Sequence, residues 1–257
     1  MILEERAYIK MKFSKRMDLF GESIFTTLAN MRSERKKQGL EVIDLSIGAP
    51  NIPPTQEVME TIAKEAMKPE NYLYAIQDAV DLQNTVKEWY ERRYGVVIDP
   101  TTELTSLLGS QDGLAHLALT LVDEGDTVLV QDPCYPIFRD GPLLAGAHVV
   151  TMPLLKENDY LIDFDMIDEK TAQDAKYMIV SYPNNPTCGV ANDEFYKKLI
   201  VFAKKYNIVV LHDNAYSELL FEGPGHSFLE FEGAKDVGIE FNSLSKTYGL
   251  AGARIGF

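Results

Sequence analysis

The chain has 257 residues, 46% of them hydrophobic and 25% charged, which is enough apolar material for a sizeable core and the composition of an ordinary globular protein. Its formal net charge of −14 argues against a general surface for nucleic acid or anionic membrane, which needs clustered Lys and Arg, and favours small-molecule partners. Cys134 and Cys188 lie far apart and outside any metal-ligand spacing, so no disulfide framework and no metal site are expected, and reduced thiols in a cytoplasmic setting are the default.

The first residues, MILEERAYIKMKF, carry acids and no long apolar run, and nowhere do 18 consecutive apolar residues occur, so neither a targeting signal nor a membrane span is expected. Residues 1–50 read as an N-terminal arm and lead-in. They comprise a polar start, a helical stretch around Ser23–Gln38, and the apolar run VIDLSIG with a turn-rich exit. The basic stretch Arg32–Lys37 suits the C-terminal end of a helix dipole rather than a nucleic-acid patch. From Gln56 to Lys68 and from Asp78 to Arg93, apolar residues recur at three- and four-residue steps, which predicts two amphipathic helices separated by a loop around Pro69–Tyr74.

After Pro100, short β-rich runs alternate with helical ones: LTSLLG, DGLAHLALTLV, DTVLVQD, AHVVTM, KYMIVSYP, NDEFYKKLIVFAKKYN, IVVLHD and GIEFNSLS, with ARIGF as a last strand. Such alternation predicts an α/β fold with a mostly parallel, doubly wound sheet. The runs MIVS and IVVL are apolar on both parities, as expected of strands covered by helices on both faces. His116 is read as a structural histidine near the apolar face of its helix, and His212 is assigned no chemistry.

The chemistry-bearing residues lie where strands end. In SLSKTYGLAGARIGF, Lys246 follows a strand and two serines, and Arg254 comes eight residues later. A lone SxSK is more often a surface loop lysine. A lysine that attacks an aldehyde must be held at a strand end with its ammonium pKa lowered. Ser243, Ser245 and Arg254 are donors suited to a phosphate monoester. Asp213 ends IVVLHD, with Tyr216 three residues on, and YPNNPTCGV places Asn185 after an apolar strand. Ser110 and Gln111 follow Gly109 at a helix start, a ready anion site. Tyr135 sits in QDPCYPIF.

Taken together, these segments resemble the class I and II aminotransferases, fold type I of the pyridoxal-phosphate enzymes, from about Leu45 to Phe257 and in the family's order. The resemblance implies that Lys246 holds the cofactor as a Schiff base and then shuttles the substrate proton. It pairs Asp213 with the pyridine nitrogen, sets Tyr216 and Asn185 on the phenolate oxygen, and stacks Tyr135 on the ring. Ser110, Gln111, Ser243, Ser245 and Arg254 fall to the phosphate, as does Tyr74, reaching from the partner of a homodimer. Gly48 and Asn185 then lie against the substrate. Cys188 stands where the family's turn carries Gly, a departure that puts the turn geometry in question.

The implied reaction moves an amino group between an amino acid and a 2-oxo acid. The texture of LYAIQDAVDLQ and DPCYPIF is similar to the branch containing the LL-diaminopimelate and aspartate aminotransferases. The implied fold is a three-layer α/β/α large domain over 51–257, incomplete at its C-terminal end. The family's small C-terminal domain, with its carboxylate-clamping arginine, has no counterpart in the chain, which reads as a fragment or a truncated product. A β-elimination or carbon–sulfur lyase on the same scaffold, and a non-catalytic cofactor-binding domain, are the alternatives.

Overall fold

The computed structural model describes residues 12–257, so the polar arm expected over the first residues lies outside the described part. The chain divides into two compact units, Met1–Ile47 and Gly48–Phe257. In the first, a 3-10 turn at Lys15–Leu19 is capped by Ser14, and helix α1 spans Ile24–Lys37. Arg35, Lys36 and Lys37 of the basic stretch lie exposed in the last turn of α1, where cations meet the negative end of the dipole, and Arg32 pairs with Asp44.

The second unit begins with α2 (Gln56–Glu65) and α3 (Val80–Tyr94), matching the two periodic stretches. The α/β core follows as α4 (Ser110–Leu121), β1 (Thr127–Asp132), α5 (Ile137–Ala145), β2 (His148–Pro153), α6 (Glu169–Asp174), β3 (Ala175–Val180), α7 (Asp193–Tyr206), β4 (Val209–Asp213), β5 (Gly238–Phe241) and α8 (Leu244–Thr247). The five strands are all parallel in the order β2-β1-β3-β4-β5. The chain therefore winds outward from β1 to β2 and returns to place β3 on the other side of β1. Such a reversal opens a crevice outside the carboxyl ends of the strands.

Strand parity builds the three layers. Leu129, Met178, Val180 and Val210 face one side and pack with Phe195, Leu199 and Ala203 of α7. Val128, Val130, Tyr177, Ile179 and Leu211 face the other and pack with Leu114 and Ala118 of α4 and Phe138 of α5. Helix α7 owes its bounds to local chemistry. Asn192 accepts the Phe195 N–H at 3.0 Å, and Asn207 closes the last turn at φ 56°. A third cluster, Tyr90, Tyr94 and Val86 of α3 with Trp89 and Phe257 beside them, lines α3.

Some expectations are corrected. LTSLLG and ARIGF are not strands but meet in a single antiparallel bridge, Leu107 to Gly256. A Cβ on Gly256 would lie 2.6 Å from the Ser110 nitrogen and 2.8 Å from the Asn242 oxygen, so the backbone threads a gap too narrow for a laddered strand with side chains. Helix α5 was not anticipated, because Gly141 and Pro142 sit inside it. Gly141 is where α5 crosses α4, its would-be Cβ 3.3 Å from the Ala115 Cα. The short α6 was also missed, although Asp168 caps it through the Thr171 N–H at 3.0 Å. His116 is not near the apolar face but exposed, its Nδ1 2.7 Å from Asp112 Oδ1, because it occupies the outward side of α4.

Gly113, on the inner face of α4, offers a stability test. A Cβ there would lie 2.7 Å from both Phe241 Cε1 and Leu107 Cδ1. Gly113→Ala, which gains helix propensity, is nonetheless expected to lower unfolding stability by about 1–3 kcal/mol through overpacking. Urea denaturation checks this, and an unchanged or raised midpoint would show that α4 has slack against the sheet.

Candidate active site

Four parallel strands deliver side chains to one edge of the sheet. Tyr135 follows β1, Asn185 follows β3, Asp213 ends β4, and Lys246 lies in α8 just after β5. The start of α4 completes the arrangement. Its N-cap, Gly109, adopts φ 87°, and no described side chain caps the helix, which leaves the positive end of its dipole without a side-chain acceptor.

Asp213 is buried, and its Oδ1 has no hydrogen-bond partner among the described residues. Burial raises its carboxyl from the ordinary 3.8 to about 6, against the opposing pull of His212, the Ser110 hydroxyl and Lys246. An unpartnered buried carboxylate is costly to fold, and a cationic N–H donor would relieve that cost. Burial also lowers the Lys246 ammonium, while Asp213 pulls the other way. Lys246 Nζ donates to the Gly48 carbonyl at 2.6 Å and lies 5.9 Å from the centre of the Tyr216 ring.

The Tyr216 hydroxyl accepts from Asn185 Nδ2 at 3.4 Å. Asn185 is presented by a turn that Asn184 holds closed, its Oδ1 accepting the Thr187 N–H at 3.1 Å and hydroxyl at 2.8 Å. Cys188 takes φ 61°, the left-handed conformation that glycine adopts most readily, and its N–H donates to the Asn184 carbonyl at 2.9 Å. The turn thus closes despite the missing glycine.

At the α4 end, the Tyr135 hydroxyl donates to Gln111 Oε1 at 2.8 Å. The exposed Arg254 spans Ala251 and Leu108, donating to their carbonyls at 3.0 and 3.3 Å. Its guanidinium lies over Gly109, close enough that a Cβ there would collide with Nη2. Ser110, Gln111 and Arg254 therefore form one donor-rich corner. Ser243 Oγ accepts the Ser245 N–H at 3.1 Å, capping the turn that carries Lys246, and Ser245 is itself buried. Tyr74 stands apart from these groups, 97% exposed.

The sequence reading missed what supports this edge. Gln131 Oε1 accepts the Ser181 N–H at 2.9 Å and Asn184 Nδ2 at 3.3 Å, which anchors the Asn185 turn from β1. Glu240 and His212 pair behind Asp213, both side chains fully buried, with Nδ1 and Oε2 3.1 Å apart. The one signal for that pair was an acid inside the apolar strand GIEF.

The profile of the family described as aminotransferase class I and II matches residues 41–257. The LL-diaminopimelate aminotransferases of Aquifex aeolicus and Dehalococcoides mccartyi are 44% and 43% identical over 248 residues, covering 95% and 96% of this chain. The chain spans 64% of the length of each. Among solved structures, BacF from Bacillus subtilis in its apo form superposes with a TM-score of 0.89 at 36% identity, over 96% of this chain and 63% of that one. A probable N-succinyldiaminopimelate aminotransferase from Thermus thermophilus gives 0.87 at 34% identity, over 91% and 63% of the two chains.

The raised Asp213 pKa makes a stability prediction. Because the folded value lies above the unfolded one, the unfolded chain releases its proton first. Stability should therefore fall as pH rises from about 4 through about 6, by roughly 2–3 kcal/mol in all. Asp213→Asn removes the charge, so the ligand-free variant should be more stable at pH 8 and should lose that part of the pH slope. Urea midpoints across pH 4–8 check it, and a variant less stable than the parent would contradict an unrelieved charge at Asp213.

Proposed function

The chain belongs to the aminotransferase class I and II family, a family of pyridoxal-phosphate enzymes, and from that premise we propose that it holds this cofactor on Lys246 and moves an amino group between an amino acid and a 2-oxo acid. The observation that carries the reading is the orphaned, buried Oδ1 of Asp213 beside a lysine whose ammonium is disfavoured by burial. One group asks for a cationic ring N–H, and the other is readied to act as a neutral amine.

The donor set fits the cofactor. Asp213 would hold the pyridine nitrogen, and Tyr216 with Asn185 its phenolate oxygen. Tyr135 would cover one ring face. The start of α4, Ser110, Gln111, Ser243, Ser245 and Arg254 would take the phosphate, with Tyr74 of a second copy. The exposed run Tyr72, Leu73, Tyr74 and Ile76 supports a homodimeric reading.

When bound, pyridoxal phosphate supplies an aldehyde that takes up the amino group and a ring that draws electrons from the substrate Cα. The rest is done by side chains. Asp213, ionised, would hold the N–H of a protonated ring nitrogen. Lys246 Nζ would take the proton from the substrate Cα and later give one back, as general base and then general acid. The Gly48 carbonyl, already within 2.6 Å of Nζ, orients that amine, and Gly48 and Asn185 border the place for the substrate. The names of the similar proteins make LL-diaminopimelate the amino donor to try first, and they favour transamination over elimination.

Incubation with pyridoxal phosphate followed by borohydride reduction should label a single peptide, at Lys246, and Lys246→Ala should take no label. Without an added 2-oxo acid, LL-diaminopimelate should release no more than one equivalent of 2-oxo product per site, whereas a lyase would turn over repeatedly. A label elsewhere, or none, would sink the cofactor assignment.

A further inference from the structure

The turn that follows β4 carries Tyr216 and is gripped by the last turn of α3. Tyr216, Ser217 and Glu218 are consecutive, and the Leu219 N–H donates to the Tyr216 carbonyl at 2.9 Å, which closes the turn. Ser217 is buried, and its Oγ lies 3.1 Å from the Tyr94 hydroxyl. That hydroxyl donates to Glu218 Oε1 at 3.0 Å, and Arg93 Nε donates to the same oxygen, also at 3.0 Å. The Arg93 guanidinium in turn lies 5.0 Å from the centre of the Tyr94 ring. Arg93 and Tyr94 are the final two residues of α3, and Gly95 ends the helix at φ 68°. Two further ties shut the loop beyond the turn. Asn214 Nδ2 donates to the His226 carbonyl at 3.1 Å, and Gly225 passes so near Ser217 that a Cβ would collide with the Ser217 carbonyl oxygen.

Packing alone does not require these polar groups. Tyr94 sits in the α3 cluster with Val86, Tyr90, Trp89 and Phe257, where a phenylalanine ring would fill the same space. Its hydroxyl is directed instead to the two residues after Tyr216. An arginine–glutamate pair in open solvent contributes little to stability, but these side chains are only 29% and 25% exposed, and one carboxylate oxygen takes two donors. A carboxylate tied in this way fixes the backbone that bears it. The neighbouring residue on that backbone belongs to the site: the Tyr216 hydroxyl lies 3.4 Å from Asn185 Nδ2, and its ring centre 5.9 Å from Lys246 Nζ.

Resting on the cofactor reading above, we infer that Arg93 and Tyr94 are positioning residues, which act through Glu218 and Ser217 to set the Tyr216 hydroxyl where it meets the cofactor's phenolate oxygen. A donor held in place before the ligand arrives loses little freedom on binding, so it adds more affinity than a mobile tyrosine would. Helix α3 thereby shapes the site through the turn rather than by touching the ligand.

The test compares the parent chain with Tyr94→Phe, which keeps the ring and removes the hydroxyl, and with Glu218→Gln, which keeps the shape and removes the charge. Val86→Ala, in the same α3 cluster, is the control for mere core damage. Carbon NMR of the cofactor-free chain with labelled tyrosine rings follows Tyr216, whose resonance Tyr216→Phe identifies. That resonance should shift and broaden about twofold in Tyr94→Phe and Glu218→Gln. Val86→Ala should leave it in place while lowering the thermal midpoint. The dissociation constant of pyridoxal phosphate should rise about tenfold in the first two variants and not in the control, the effect of misplacing one donor to a charged oxygen. The pH at which the bound cofactor's visible absorption changes should rise in them by about one unit, because a phenolate short of a donor is easier to protonate. A merely structural role would not move that pH. A Tyr216 resonance unmoved by both substitutions overturns the inference whether or not the cofactor binds, and so does an equal response to Val86→Ala. Failure of the parent chain to label at Lys246 overturns instead the reading on which it rests.

Discussion

A carboxylate buried at the end of β4 with one oxygen unpartnered is the constraint around which the rest of this edge is arranged. Folding alone would not select it, since an apolar or amide side chain would cost less there. Its neighbours temper the cost without removing it: Lys246 and Ser110 in front, His212 behind. The consequence is a site whose stability and whose chemistry pull in opposite directions, as is common where a protein holds groups ready for a ligand.

The parallel sheet makes such a placement possible. Because all the strands run parallel, every carboxyl end points the same way, and residues from four distant segments meet at one edge. Two glycines tighten the arrangement. Gly109 lets the Arg254 guanidinium lie directly over the start of α4, and Gly256 lets the chain pass between α4 and Asn242. Both are places where the backbone has to come closer than any side chain would permit.

What was legible in the sequence was local. The strands with apolar residues on both parities, the capped helix α7, and Lys246 and Asp213 at strand ends are all written in consecutive residues. The family order of the motifs followed from the same short stretches. What was not legible depended on partners far away in the chain. Helix α5 was hidden by Gly141 and Pro142, which look like breakers until α4 is seen pressing against them. ARIGF had the composition of a strand and lacked only room. The His212 and Glu240 pairing requires the register of β4 on β5, which no spacing along the sequence reveals.

The bond from Lys246 to the Gly48 carbonyl joins residues 198 positions apart. Such a long closure has a consequence for the order of events as the polypeptide leaves the ribosome. Segments near residue 48 emerge early and must wait, with their counterpart still unsynthesised, until the strand preceding Lys246 has joined the edge of the sheet. Folding of this unit is therefore slow to complete by its topology, and the nascent chain spends that interval with β4's outer edge unpaired and open to other strands.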